Sequence, residues 1–225
     1  GFDYASFGEW FAAFSRNWIN ILRNNAGVGI IALGMTFVII SGGIDLSVGS
    51  TVSLSGTIAA IMMVNMGMNV FMGVIGGLLV GLIIGALNGI IISRLSVPPI
   101  IATLGLMTIA SGLALAFTGG RSVSGLADGF DIFGRGNLGF LPVPVIIIVL
   151  MYLIGHFTLQ KTKFGSSVFG IGGNEEAARL AGIPVKRTKV VVYMLSGLMA
   201  SVAGIILASR LDSGQPMAGQ GLELN

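Results

Sequence analysis

The stretch Ser41-Gly42-Gly43-Ile44-Asp45-Leu46-Ser47-Val48-Gly49-Ser50 places one carboxylate and two adjacent glycines inside an otherwise apolar part of the chain. Asp45 is the only charged residue between Arg23 and Arg94. A charged side chain near the centre of a bilayer costs about 2.5–3.5 kcal/mol on insertion scales unless it is paired or hydrated. The surroundings of Asp45 therefore decide both the fold and the role of this carboxylate.

The composition indicates a membrane protein that crosses the bilayer several times. Of the 225 residues, 54% are hydrophobic and only 9% are charged, whereas about 25% of residues are charged in a typical soluble domain. Mean hydropathy is +0.94. The chain contains no cysteine, which excludes disulfides and thiolate metal sites. An excess of 12 basic over 9 acidic residues is too small to indicate nucleic-acid binding.

Six apolar segments are predicted to be membrane helices, which makes the fold all-α and polytopic, with residues 1–225 in a single transmembrane domain. They are 26–40, 46–64, 71–92, 100–117, 144–157 and 190–207. The first would cover only about 23 Å as a helix, less than the roughly 30 Å hydrocarbon core. We therefore expect either a tight turn at Gly42-Gly43 near one membrane face or a re-entrant break at depth.

Residues 1–25 mix aromatic and polar side chains at helical spacing. Trp10, Phe11, Phe14 and Trp18 recur every three to four residues, with arginines between them. This pattern predicts either an amphipathic helix in the membrane interface or a polar approach to the first span.

Small residues predict how the helices pack. Hydroxyl residues cover about half the surface of the second segment, and we expect that half to face other helices or a polar pathway. Glycine recurs at every fourth position of the third segment, which allows close approach of a neighbouring helix. This stripe comprises Gly73, Gly77, Gly81, Gly85 and Gly89. Asn88 lies beside the stripe and is expected to make an interhelical hydrogen bond.

The connection 158–189 is predicted to be cytoplasmic. It holds six of the 12 basic residues and two of the 9 acidic ones, a net charge of +4. Connections rich in Lys and Arg stay on the cytoplasmic side of the membrane. By alternation, residues 118–141 then lie outside and the turn at 41–47 lies inside.

A short helix is predicted within this connection. Asn174 can cap a helix that opens with Glu175-Glu176 at its positively polarised end and stops at Gly182, just before Pro184. So compact a helix outside the membrane fits a groove on a partner protein. The alternative is a helical spacer.

Three motifs give the sequence a specific resemblance. Residues 173–183, Gly-Asn-Glu-Glu-Ala-Ala-Arg-Leu-Ala-Gly-Ile, resemble the cytoplasmic "EAA" coupling loop of bacterial ABC-type uptake permeases. Ser41–Ser50, and Gln215-Pro216 followed by Gly219 and Gly221, are similar to further signatures of the ribose-type carbohydrate branch. The similarity extends over essentially the whole chain, with the motifs in the expected order.

The resemblance implies a permease subunit in the bacterial inner membrane, paired with a second permease subunit as a homo- or heterodimer. It would take a pentose- or hexose-like monosaccharide from a periplasmic binding protein, and ATPase subunits would dock on the coupling loop. Family permeases are longer at both ends, so this chain is expected to be a fragment. The expected coupling residues are Asn174, Glu175, Glu176, Ala177, Ala178, Arg179 and Gly182.

The sequence predicts no catalytic activity for this chain. It lacks the Gly-x-x-x-x-Gly-Lys-Ser/Thr phosphate loop, so ATP and Mg²⁺ are expected on a partner subunit and no cofactor or metal on this one. It also lacks a Ser/His/Asp or paired-carboxylate constellation. We expect a non-catalytic transport subunit whose surroundings are lipid and protein, not nucleic acid.

Other functions stay open from the residues. An ABC permease for another small solute, such as a branched-chain amino acid or a furanosyl signal, would carry the same loop. An ion-coupled secondary transporter could use Asp45 as a proton or sodium site in a broken helix. A channel or a purely structural membrane protein would need neither feature.

Asp45 itself has two possible roles. We expect it to cap the helix starting near Leu46 by accepting the N–H of Ser47 or Val48, and the alternative is direct contact with substrate. The residues predicted to form a translocation pathway or hinge are Ser41, Gly42, Gly43, Asp45, Ser47 and Ser50.

Overall fold

Eight α-helices account for most of residues 7–224, the part of the chain that the computed structural model describes. They are α1 Phe7–Ile40, α2 Val48–Val64, α3 Val70–Arg94, α4 Pro99–Thr118, α5 Val143–Lys161, α6 Lys163–Gly173, α7 Glu175–Leu180 and α8 Val185–Leu211. Two 3-10 helices, Phe130–Phe133 and Leu222–Leu224, and four short strands complete the described part. Strand β1 Val123–Ser124 pairs antiparallel with β4 Ser213–Gly214, and β2 Asn137–Leu138 pairs with β3 Leu141–Pro142. The predicted all-α class is confirmed.

Within residues 7–224, five helices are long and apolar enough to cross a membrane: Ala13–Ile40 of α1, and all of α3, α4, α5 and α8. The predicted sixth span, α2, is a shorter apolar helix of 17 residues, about 25 Å long at 1.5 Å per residue. It lies at the centre of the bundle, packed against α3, α4 and α8, and nearly all of its residues are buried. Its hydroxyl-rich half therefore faces protein, as predicted.

Helix α1 is continuous from Phe7 to Ile40, so the prediction of a short first segment beginning at residue 26 is wrong. Residues 9–26 contain neither glycine nor proline, and nothing in them interrupts a helix. The apolar part is therefore long enough to cross without a re-entrant break. Trp10, Phe14 and Trp18 are exposed on this helix, and their place at the membrane interface stays a prediction.

Connections predicted to lie on the same side of the membrane meet at the same end of the bundle. At one end, Gly172 of α6 packs on the carbonyl of Ile40, beside the turn that follows α1. At the other end, the N–H of Gly134 donates to Ser209 Oγ at 2.8 Å, and Arg210 donates to the carbonyl of Asn24 at 3.2 Å. The basic residues of 158–189 predict that the first of these ends is cytoplasmic.

Residues 158–189 contain, besides the predicted short helix, the end of α5, the helix α6 and the start of α8. The unpredicted helix α6 is capped by Thr162, whose hydroxyl oxygen accepts the N–H of Gly165 at 3.1 Å. Glycines in α6 disfavour a helix by about 1 kcal/mol each, but burial of Val168 and Ile171 against the bundle outweighs that cost.

Residues 213–224 form a re-entrant segment that sequence periodicity did not predict. The chain reverses at Asp212, whose φ is 54°, and then runs back along α2. Gly214 packs on Gly56 and Ala60, and the N–H of Gly219 donates to Ser53 Oγ at 2.8 Å. Non-helical backbone of this kind is stable within a membrane protein where protein or water covers it.

Candidate translocation and coupling sites

The Asp45 carboxylate is buried, with 1% of the residue exposed, and three donors satisfy it. Oδ1 accepts the backbone N–H of Ser47 at 3.0 Å and the Ser47 hydroxyl at 2.6 Å. Oδ2 accepts the hydroxyl of Ser196, on α8, at 2.8 Å. The side-chain amide of Asn88, on α3, donates to Ser47 Oγ at 2.8 Å. The turn between α1 and α2 is thus hydrogen-bonded to both α3 and α8.

The predicted position of the cap is wrong, although the predicted bond from the Ser47 N–H to Asp45 is confirmed. Helix α2 begins at Val48, and its N-cap residue is Ser47, whose side chain makes no capping bond. Asp45 accepts the N–H two residues ahead of it, which is the geometry of an Asx-turn. The carboxylate therefore fixes the turn before the helix rather than the first turn of the helix.

The glycines before Asp45 end helix α1 in the tight turn that was predicted. Gly42 has a φ of 78°, a left-handed conformation that costs glycine little. The N–H groups of Gly42 and Gly43 donate to the carbonyls of Ile39 and Val38, both at 2.9 Å. This pattern satisfies carbonyls that would otherwise lack partners at a helix C-terminus.

A cavity of 280 Å³ lies between α2, α4 and the re-entrant segment. Its polar lining comprises Ser50, Ser53, Ser111, Gln220 and Glu223, and its apolar lining comprises Met107, Leu115, Pro216 and Met217. Of the six predicted pathway or hinge residues, only Ser50 borders it; Ser41, Gly42, Gly43, Asp45 and Ser47 do not. The hydroxyl-rich face of α2 and the Gln215–Gly221 motif were the only sequence signals near this cavity.

The glycine stripe of α3 faces α8 and α2. A Cβ added at Gly81 would overlap the carbonyl oxygen of Gly197, and one at Gly85 would overlap that of Tyr193. Both obstacles are backbone atoms of α8, so neither can move aside as a side chain could. Of the other three glycines, Gly73 faces Met63, Gly77 faces Ser55 and Gly89 faces Val190.

Helix α7 has the predicted boundaries and cap. Asn174 Oδ1 accepts the N–H of Ala177 at 2.9 Å, and Gly182, with a φ of 84°, follows the helix end. Lys189 of α8 forms an ion pair with Glu175 at 2.6 Å. Ala178 packs in an apolar cluster with Ile171 and Val185. The helix is therefore attached to the start of α8, and Ala178 faces inward, whereas the prediction grouped it with the partner-contacting residues.

The remaining surface of α7 is exposed. Glu176 and Arg179 form an ion pair, with Nε to Oε2 at 3.0 Å. The hydrogen bond from Arg179 holds the pKa of the Glu176 carboxyl below its ordinary value. Leu180 is 76% exposed. These exposed side chains are accessible to a partner, and the coupling role of the helix stays a prediction.

Residues 17–225 match the family described as branched-chain amino acid transport system / permease component. The chain belongs to this family of membrane permeases, whose members are non-catalytic transport subunits. Together with its five long apolar helices, this makes it a multi-pass protein of the bacterial inner membrane.

Several curated relatives are permeases named for sugars. The chain is 49% identical to the ribose import permease protein RbsC of Bacillus subtilis over 93% of its own length and 65% of the relative's. It is 45% identical to the L-arabinose permease AraH of Escherichia coli, over 87% and 60%. It is 35% identical to the xylose permease XylH of Escherichia coli, over 100% and 72%.

These matches confirm the resemblance to permeases of the ribose-type branch. The chain spans less than two thirds of the length of the ribose and L-arabinose relatives, 65% and 60% respectively. No solved structure matches the chain.

Proposed function

We propose that this chain is the membrane part of a permease subunit in an ATP-driven importer. It would move a pentose- or hexose-like monosaccharide from a periplasmic binding protein across the inner membrane. Relatives named for ribose, L-arabinose and xylose support the choice of solute. The structural observation that carries the proposal is the exposed, capped helix α7, fixed to a helix that runs into the bundle.

Helix α7 can transmit a movement of a docked ATPase to the interior. Its anchors, Glu175 and Ala178, bind it to the first two turns of α8, at Lys189 and Val185. Further along α8, Tyr193 donates to the carbonyl of Ile44 at 3.3 Å and Ser196 donates to Asp45. A rigid-body shift of α7 would therefore reach the turn between α1 and α2 through one continuous helix.

A permease that does not hydrolyse ATP needs partner subunits. The ATPase subunit would bind ATP and Mg²⁺, and a second permease subunit, identical or related, would complete the pathway. In residues 7–224, no group of three or more His, Asp or Glu side chains could hold a metal ion. We propose no cofactor for this chain.

Two alternative functions, transport of another small solute and ion coupling through Asp45, are supported to different degrees. A branched-chain amino acid is favoured by the description of the family, and a furanosyl signal would use the same machinery. Ion coupling through Asp45 receives less support, because its carboxylate already accepts three hydrogen bonds and does not border the 280 Å³ cavity.

The test uses the full-length permease reconstituted in vesicles with its ATPase and binding protein. Replacing Glu175–Gly182 by a Gly/Ser linker should abolish ATP-dependent ribose uptake while membrane insertion stays intact. Leu180→Ser should lower stimulated ATPase activity, whereas Leu138→Ser, a 70% exposed leucine at the opposite end, should not. Uptake that survives the linker and collapses with an uncoupler would instead support ion-coupled transport.

A further inference from the structure

We propose that the 280 Å³ cavity between α2, α4 and the re-entrant segment is the transit site for a neutral, polyhydroxylated solute. The inference rests on the proposed function and deepens it by naming residues that contact the sugar. The cavity is close to the lower limit of about 300 Å³ for small-molecule sites. It therefore suits one sugar ring rather than an oligosaccharide.

The polar side chains of the cavity retain hydrogen-bonding capacity. Within residues 7–224, neither the Ser111 hydroxyl nor the Gln220 carboxamide has a hydrogen-bond partner. Ser53 Oγ accepts the N–H of Gly219, which leaves its own hydroxyl hydrogen free to donate. Ser50 donates to the carbonyl of Ser47 at 2.8 Å, which leaves its oxygen free to accept. Donors and acceptors thus come from α2, α4 and the re-entrant segment.

Glu223 adds a strong acceptor. Both carboxylate oxygens accept the N–H of Gly221 at 3.2 Å. No basic side chain pairs with this carboxylate among the described residues. An ionised carboxylate offers about four lone-pair positions, and bonds from hydroxyls to a carboxylate are stronger than neutral ones. Glu223 can therefore accept sugar hydroxyls while keeping its bond to Gly221.

Apolar side chains complete the match to a sugar. Met107 and Leu115 line the cavity from α4, and Pro216 and Met217 line it from the re-entrant segment. A sugar ring presents C–H groups on its faces and hydroxyls around its edge. Mostly apolar walls with a few placed polar groups are typical of small-molecule sites.

The cavity lining distinguishes between the two leading candidate solutes, a monosaccharide and a branched-chain amino acid. The α-carboxylate of a branched-chain amino acid would need a cationic or N–H partner to leave water without a large cost. The cavity lining contains no Lys, Arg or His. Its one charged group, Glu223, would attract the α-ammonium of the amino acid but repel the α-carboxylate, which would stay without a partner. A neutral sugar has no carboxylate that needs a cationic partner. The cavity thus favours a sugar, although the family description names branched-chain amino acids.

The site also lies next to the turn that the coupling helix reaches. Ser50 is one helical turn after Ser47, and the two are joined by the bond from the Ser50 hydroxyl to the Ser47 carbonyl. Ser47 is in turn bonded to Asp45 and Asn88. A shift of the α1–α2 turn would therefore move one wall of the cavity directly.

The experiment measures uptake by the full-length permease in vesicles with its ATPase and binding protein. Radiolabelled D-ribose, L-arabinose, D-xylose and L-leucine are the probes. Ser111→Ala and Gln220→Leu should each lower the maximal sugar uptake rate by roughly 3- to 10-fold, the loss expected for one neutral hydrogen bond. ATP hydrolysed per sugar should rise, because the ATPase site is untouched. Thr108→Val is the matched control on the exposed face of α4 and should transport normally.

The outcomes distinguish failure of the proposed importer function from failure of the proposed transit site. If the unaltered importer takes up none of the three sugars with ATP, the proposed function fails. If it transports a sugar but both cavity variants match Thr108→Val, the transit site alone is overturned. Uptake of L-leucine in preference to the sugars would overturn the neutral-solute assignment. The unfolding temperature of every variant is measured in detergent. Reduced uptake counts as loss of a contact with the sugar when the variants unfold at the same temperature.

Discussion

The two sides of α2 have opposite surroundings. On one side lie α3 and α8, which also contact each other so closely that a Cβ at Gly81 or Gly85 would overlap the backbone of α8. On the other side, α4 and the re-entrant segment leave a cavity of 280 Å³. Helix α2 presents small residues to both sides. Small side chains therefore permit either close packing or an open cavity, and the neighbouring helix decides which one forms.

The hydroxyl groups of α2 also differ in their hydrogen-bond partners on the two sides. On the cavity side, Ser53 holds the backbone of Gly219. Where α2 meets α3, the hydroxyl of Ser55 is buried without a hydrogen-bond partner, and its carbonyl lies against Gly77. In membranes, helix association depends on van der Waals packing and interhelical hydrogen bonds rather than on expulsion of water. Along the body of α2, close packing dominates towards α3 and α8, whose hydrogen bonds are concentrated at Ser47 and Asp45 before the helix. On the cavity side, Ser53 is hydrogen-bonded to the re-entrant segment.

The largest effect is expected from Gly81→Val on the packed side. Its side chain would overlap Gly197 and Ser201 of α8, and overpacking against backbone should cost about 3 kcal/mol or more. We expect little folded full-length permease in the membrane and a strongly lowered unfolding temperature in detergent. Gly105→Val on α4, where the added atoms meet open space, is the control. Equal behaviour of the two variants would contradict the importance of close α3–α8 packing.

An intermediate effect is expected at Asp45, beside the N-terminus of α2. Asp45→Ala leaves the hydroxyls of Ser47 and Ser196 without their acceptor, and should cost roughly 1–3 kcal/mol in unfolding free energy. Asp45→Asn keeps one carbonyl acceptor and should cost less. Thermal unfolding and uptake of the full-length importer are measured together. A stable Asn variant that no longer transports would show that the negative charge itself acts in transport.

The smallest effect is expected from a pair of serines on α2. Ser53→Ala removes the acceptor for the Gly219 N–H and should cost about 0.5–1.5 kcal/mol. Ser55→Ala should be neutral or slightly stabilising, because its buried hydroxyl has no partner. Chemical denaturation of the two purified variants gives the comparison. If Ser55→Ala were the more destabilising, the assignment of hydrogen bonding to the cavity side would be wrong.

Features encoded by neighbouring residues could be predicted from the sequence. The ends of α7 follow from Asn174 and Gly182, because a cap and a stop signal act within one turn of the helix. The tight turn at Gly42-Gly43 follows for the same reason. Within residues 7–224, five of the six predicted apolar segments lie inside helices of spanning length, because hydropathy is a local property, although the predicted start of the first was wrong.

Features created by contacts between distant segments could not be predicted. Helix α6 forms despite its glycines because Val168 and Ile171 are buried, which only the assembled bundle provides. The aromatic pattern near Trp10 and Trp18 indicated a separate segment, but uninterrupted helix propensity continued α1 through it. Ser111 lies more than one hundred residues before Gln220 and Glu223, and no pattern in the sequence brings it to them.

The re-entrant segment also constrains the order in which the molecule is made. Residues 213–224 obtain their partners from Gly49, Ser53 and Gly56 of α2, and both α2 and α4 are synthesised earlier. The buried backbone N–H of Gly219 can leave water at low cost only when Ser53 of α2 is in place to accept it. Docking of this segment therefore follows the insertion of α2 and α4. One wall of the cavity forms only when it docks.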